Sequence, residues 1–151
     1  MVKQKEESVY ENIIRIARKE IGVVERTGKN DGQRIAEYLR YCNIGTPAPY
    51  CAAFVSWVFG QAGYSQPRTA WSPALFQSSR LTREPKPGIV YGLYYPSLDR
   101  IGHCGLIENL QGDFLQGIEA NTNVAGSRNG DGVWRKIRHK RTIHRYANWL
   151  K

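Results

Sequence analysis

The chain has 151 residues, 41% of them hydrophobic and 23% charged, and carries a formal charge of +9. That length suits one domain able to bury a core without metal or disulfide staples, and the composition excludes a disordered or fibrous polymer. No apolar run approaches the ~18 residues of a membrane span, and the charged start MVKQKEESVYENII has no signal-peptide core. The expectations left open are action inside the cell, export by another route, or a mature form that has lost its signal.

In chain order, Ser8 and Glu11 stand at capping-box spacing ahead of a helix whose apolar stripe is Tyr10, Ile13, Ile14, Ala17 and Ile21, with Gly22 as its stop. Asn30 or Asp31 is the expected cap of a second helix carrying Ile35, Tyr38, Leu39 and Cys42. The stretch NIGTPAP breaks the chain before a third helix. This helix begins at Cys51, places Phe54, Val55, Val58 and Ala62 on one face, and closes at Gly63. SPALFQSS reads as a short helix with Ser72 as cap and Pro73 at its first position.

After REPKPG the character changes to β-branched and aromatic runs: GIVYGLYY (88–95), GHCGLIENL (102–110), FLQGIEAN (114–121) and GVWRKIRH (132–139). Helices first and strands second predict an α+β domain with the helices packed on one face of an antiparallel sheet. The expected organisation is a single domain over 1–151, its core at about 8–139 and a basic tail at 140–151.

Charge concentrates late. Arg128, Arg135, Lys136, Arg138, Lys140, Arg141 and Arg145 face Asp131 alone, which places six of the nine net charges in one short segment. A solvated sheet face explains this as well as attraction to a polyanion does. Cys42, Cys51 and Cys104 cannot all pair within one chain and show no C-x-x-C spacing, so a reduced protein with one distinctive thiol is expected.

Cys51 is the candidate for that thiol, because the first turn of a helix favours the thiolate through the dipole and unpaired N–H groups. Packing alone would also explain a cysteine on an apolar stripe. A nucleophile needs a base, and the base needs a group to orient it. His139 and His144 lie among positive charges, whereas His103 opens a strand between Gly102 and Gly105. On the next strand Glu119 and Asn121 are two apart and share a face. A three-residue loop at 111–113 would put His103 opposite Asn121, Cys104 opposite Ala120, and Glu119 diagonal to His103. A two-residue loop at Gly112 and Asp113 would turn Glu119 away. The functional arrangement therefore calls for an odd-length loop.

The segments EIGVVERTGKNDGQRIAEYL, PYCAAFVSWVFGQAG, KPGIVYG, GHCGLIENLQGD, IEANTN and GSRNGDGVWRKIR, in that order, resemble the CHAP (cysteine, histidine-dependent amidohydrolase/peptidase) group of papain-like, NlpC-type cell-wall hydrolases. The likeness covers most of residues 20–138. It implies a papain-like fold with Cys51 as nucleophile, His103 as general base and then acid, Glu119 orienting the imidazole, and Asn121 as a second polar group. No cofactor or metal is implied; KNDG is too poor in carboxylates for the calcium loop of some relatives. The chain departs from the family in having Tyr50 where many members have Gln before the nucleophile, and Gly88-Ile89 where many have Asp. Tyr50 and Trp71 are the residues expected to line the substrate groove, the Tyr50 hydroxyl being one candidate for the second oxyanion donor.

The implied activity is cleavage of amide bonds in peptidoglycan peptides, as a lysin, an autolysin or an effector toxin acting at the bacterial cell wall. An effector would have an immunity or delivery partner, and a monomer is expected. The competing readings are a catalytically silent peptidoglycan-binding module, a basic nucleic-acid binder and an acyltransferase. An intact Cys, His and Glu set argues against the first, and thin aromatic interleaving in VWRKIRHKR argues against the second, so no nucleic-acid partner is expected.

Overall fold

The Ser8 hydroxyl accepts from the Glu11 N–H at 3.2 Å and starts α1 (Val9–Arg18), which buries Ile13, Ile14 and Ala17. The helix ends one turn before Gly22, whose φ of 96° and N–H bond to the Val133 carbonyl fix the exit. The computed structural model describes residues 8–122 and 130–151. Asn123 and residues 126–129 of the motifs quoted above, Arg128 among them, lie outside the described residues.

The cap expected at Asn30 or Asp31 is not used: α2 (Gln33–Tyr41) starts from Gly32 at φ 118° without a side-chain cap. Asp31 instead receives the Thr27 N–H and hydroxyl, at 2.9 and 2.5 Å, and closes its own loop. A short carboxylate held by donors of its own turn is turned away from the start of the next helix. The third helix, α3 (Cys51–Gln61), is buried from Cys51 through Phe59, so it is apolar all round and forms the centre of the helical layer. A 3-10 helix over Ser72–Phe76 follows, with Trp71 at its cap position and Ser72 buried inside it.

Six strands form one antiparallel sheet: β1 (Leu81–Thr82), β2 (Val90–Tyr95), β3 (Arg100–Gln111), β4 (Phe114–Thr122), β5 (Gly132–His139) and β6 (Arg145–Ala147), in the order β1-β6-β2-β3-β4-β5. The segment expected as a basic tail is therefore part of the sheet. Ala147 and Trp149 are buried in the core under the helices, and the Trp149 indole donates to the Leu75 carbonyl. A strand of three residues is too short to show a period, and the surrounding cations hide its apolar members.

Alternation along β3 separates two cores. Cys104 and Leu106 join Ile118, Ala120 and the three helices on one face; Ile107 joins Ile89, Tyr91, Leu93 and Leu115 on the other. Among the described residues, no helix is long and apolar enough to cross a membrane.

The β3–β4 hairpin departs from the expectation. Gln111 pairs with Phe114, so the turn is the two-residue one, Gly112 and Asp113, with Gly112 at φ 59°. Carried straight through, that register would turn Glu119 away from His103. Between Ile107 and Asn109 the ladder shifts by one, with Glu108 as the extra residue of a β-bulge. Beyond the bulge Leu106 pairs with Ile118, the same offset that a three-residue loop would have produced. Glu108 is pinned by Arg135 Nε at 2.8 Å and Arg18 Nε at 3.1 Å, so β5 and α1 both hold the bulge.

Candidate active site

Cys51 is the first residue of α3, where the backbone N–H groups have no intrahelical acceptor. Its Sγ lies 3.3 Å from the Ser72 hydroxyl, and the residue, 6% exposed, lines a cleft of about 280 Å³ walled by Trp71, Arg100, Gly102 and Asn121. A larger cavity of about 650 Å³ lies over β1 and β6, and Cys51, His103 and Glu119 are not among its walls.

His103 stands next to Gly102, the extra residue of a second bulge where Leu93 pairs with His103 but Tyr94 pairs with Ile101. Bulges raise local twist, and here the consecutive residues His103 and Cys104 both interact with Cys51. The imidazole Nε2 bonds Glu119 Oε1 at 2.7 Å, and both side chains are fully buried. Its Nδ1 is buried without a hydrogen-bond partner among the described residues. That is the ring atom left for the sulfur.

Glu119 has two further clasps. Arg138 reaches it with Nε at 2.8 Å and Nη2 at 2.7 Å, and the Tyr91 hydroxyl donates to Oε2 at 2.5 Å. Tyr91 can lie there because Gly105 and Gly117 flank it: a Cβ at Gly117 would sit 1.9 Å from the tyrosine oxygen, and one at Gly105 2.5 Å from it.

Electrostatics follow from these contacts. Burial would lift the Glu119 carboxyl, but the His103 charge and the Arg138 bonds hold it at about 2. Burial likewise opposes a charged His103, and Glu119, with Cys51 behind it, outweighs burial and raises the imidazole to about 9. The Cys51 thiol is held well below its ordinary value. The hydrogen bond from Cys104 is the largest cause, burial opposes it, and His103 and Ser72 add to the lowering. Cys104 is shifted the opposite way, up, by burial and by Cys51. The resting state favoured by this set is a thiolate beside an imidazolium.

The expected residues divide as follows. Cys51, His103 and Glu119 come together. Asn121 also reaches the cleft, at φ 56° where the β4–β5 ladder shifts, with its Oδ1 buried and unpartnered. Trp71 walls the cleft and is 53% exposed. Tyr50 is not among its walls: the ring is fully buried and its hydroxyl donates to Glu25 at 2.8 Å. Burial takes the aromatic ring that spacing alone would have assigned to the groove.

Sequence reading took Ser72 as a helix cap and left Arg135 and Arg138 between a solvated sheet face and attraction to a polyanion. The two arginines flank Lys136 and Ile137 along β5, and only the assembled sheet reveals that their partners are Glu108 and Glu119.

No protein-family model matches the chain, and no curated protein matches it in sequence. Solved structures do share the fold. The crystal structure of Ly7917 superposes with a TM-score of 0.51 at 16% identity, over 93% of this chain and 62% of that one. The structure of Ly7917 with the hydrolyzing product of MDP superposes with a TM-score of 0.52 at 18% identity, over 92% and 62%. The chain thus spans less than two thirds of the length of these neighbours.

Proposed function

We propose that the chain is a papain-like, CHAP-type cysteine amidase or endopeptidase that hydrolyses amide bonds of peptidoglycan peptides at the bacterial cell wall. The observation that carries this reading is the orientation of His103: Nε2 is held by an ionised Glu119, and Nδ1 is left unpartnered for a sulfur at a helix N-terminus. The shared fold with a protein solved with the hydrolyzing product of MDP supports the substrate class.

In this mechanism the Cys51 thiolate attacks the scissile carbonyl carbon, and the C–O π electrons move to oxygen. The Cys51 backbone N–H and the Ser72 hydroxyl, which replaces the donor that Tyr50 does not supply, hold the oxyanion. The imidazolium of His103 gives its Nδ1 proton to the leaving amine as the C–N bond breaks, which leaves a thioester. Neutral His103 then takes a proton from water, whose oxygen attacks the acyl carbon and expels the thiolate. Glu119 keeps the imidazole in one orientation and favours its charged form, and Asn121 offers an acceptor beside the cleft.

Mass spectrometry of fragments released from purified sacculi tests the reading. Fragments from the wild type, none from Cys51→Ala, and a release slowed roughly 100-fold in Ser72→Ala are the expected results, and the new termini name the bond. Silence from every variant, with sacculi of several peptide chemistries, would make the chain a binding module and Cys51 a packing residue.

A further inference from the structure

The cleft beside Cys51 has one permanently charged wall among the described residues. Arg100 stacks its guanidinium 4.1 Å over the Trp71 ring, and Trp71 leads directly into Ser72 and the sulfur. Its Nη1 donates to the Ile101 carbonyl at 2.9 Å, and no carboxylate among the described residues pairs with it. The neighbouring Asp99 accepts from the Tyr94 hydroxyl instead. Ile44, Ala48, Pro49 and Ala70 give the cleft apolar walls, and Ser72 and Asn121 are its neutral polar ones.

The other arginines of the site region are treated differently. Arg138 and Arg135 each close on a buried glutamate. Arg100 is held in place by an aromatic face, yet lacks an internal counter-ion. With Cζ 4.1 Å from the ring centroid and Nη1 given to a backbone carbonyl, the guanidinium still has further N–H groups to offer, and a carboxylate is the acceptor such a planar fork takes through two parallel bonds. Apolar walls lower the local dielectric and strengthen that attraction.

We infer that Arg100 and Trp71 form a carboxylate subsite at the mouth of the cleft, and that the preferred substrate is a peptide with a free carboxylate close to the scissile amide. This rests on the reading of Cys51 as nucleophile, and it adds a specificity element to that reading. Arg100 binds and orients, and no bond forms or breaks at it.

The test compares alkylation of Cys51 by iodoacetate, which carries a carboxylate, and by iodoacetamide, its neutral isostere. In Arg100→Gln the iodoacetate rate should fall about fivefold at low salt while the iodoacetamide rate holds within about twofold, as the loss of one nearby positive charge requires. Arg100→Lys should keep most of the preference. An unchanged ratio in Arg100→Gln would overturn the subsite, and so would equal loss of both rates, which would make Arg100 structural. Slow alkylation by both reagents in the wild type would instead count against the activated thiol, so the two failures are separable.

Discussion

Two buried glutamates on adjacent strands are each clasped by an arginine from β5, and they do different things. Glu108 holds Arg135 and Arg18, both about half exposed, and touches no other titratable group of the site. Glu119 holds Arg138, itself largely covered, and adds Tyr91 and His103. The first carboxylate sits on the extra residue that sets the ladder, and the second sits where the corrected ladder delivers it. One determines which way the strand faces, and the other uses that face chemically.

Excising Glu108 attacks the first member of the pair with the largest expected effect. Without the bulge, the two-residue turn runs straight into a register that points Glu119 away from His103. Release of sacculus fragments should become undetectable while circular dichroism still reports the sheet. Full activity in the excised protein would show that the offset is set elsewhere.

Glu119→Gln attacks the second. The imidazole keeps a hydrogen-bond partner but loses the charge that raises it, and the expected loss in turnover is on the order of a thousandfold. The wild-type rate should fall on the alkaline side at about 9, where His103 gives up the proton needed by the leaving amine. The variant should show that fall at or below the ordinary imidazole value near 6.5. An alkaline limb that stayed put would remove Glu119 as its cause.

The same groups govern stability. The raised His103 contributes fully below 6.5 and loses its contribution as pH rises through about 9. The depressed Glu119 contributes above 4.5 and loses its contribution as pH falls through about 2. Removing the Glu119 charge also takes the carboxylate from the largely covered Arg138, a loss of about 3 kcal/mol in urea unfolding.

Glu108→Ala is the mildest change. Its arginines are half exposed and screened by water, so the loss should be about 1 kcal/mol and shrink with added salt. A loss as large as that of Glu119→Gln would erase the distinction between the two carboxylates.

Much of the site is legible in sequence: the start of α3 at Cys51 follows from its turn signals, and the partnership of His103 with Glu119 is what the family resemblance implies. The route to that partnership is not. Spacing shows how many residues separate His103 from Glu119, and it cannot show whether the odd one lies in the turn or within the strand as Glu108. Arg138 is invisible for a related reason: a cation on an alternating strand looks solvated until the neighbouring strand is placed. Tyr50 is misread in the opposite direction, since an aromatic ring beside a nucleophile serves a core as well as a groove.

The place of β6 carries a consequence for biosynthesis. Its three residues separate β1 from β2, although they come after every other described strand in chain order. While the ribosome still holds them, β2 has an open edge on the side away from β3, and such an edge invites pairing with other chains. Arg145–Ala147 close that edge only after every part of the site has been synthesised. Maturation of the thiol's surroundings thus waits for residues 145–147, and a nascent chain stalled before residue 145 would carry the cysteine, the histidine and the glutamate on an unfinished sheet.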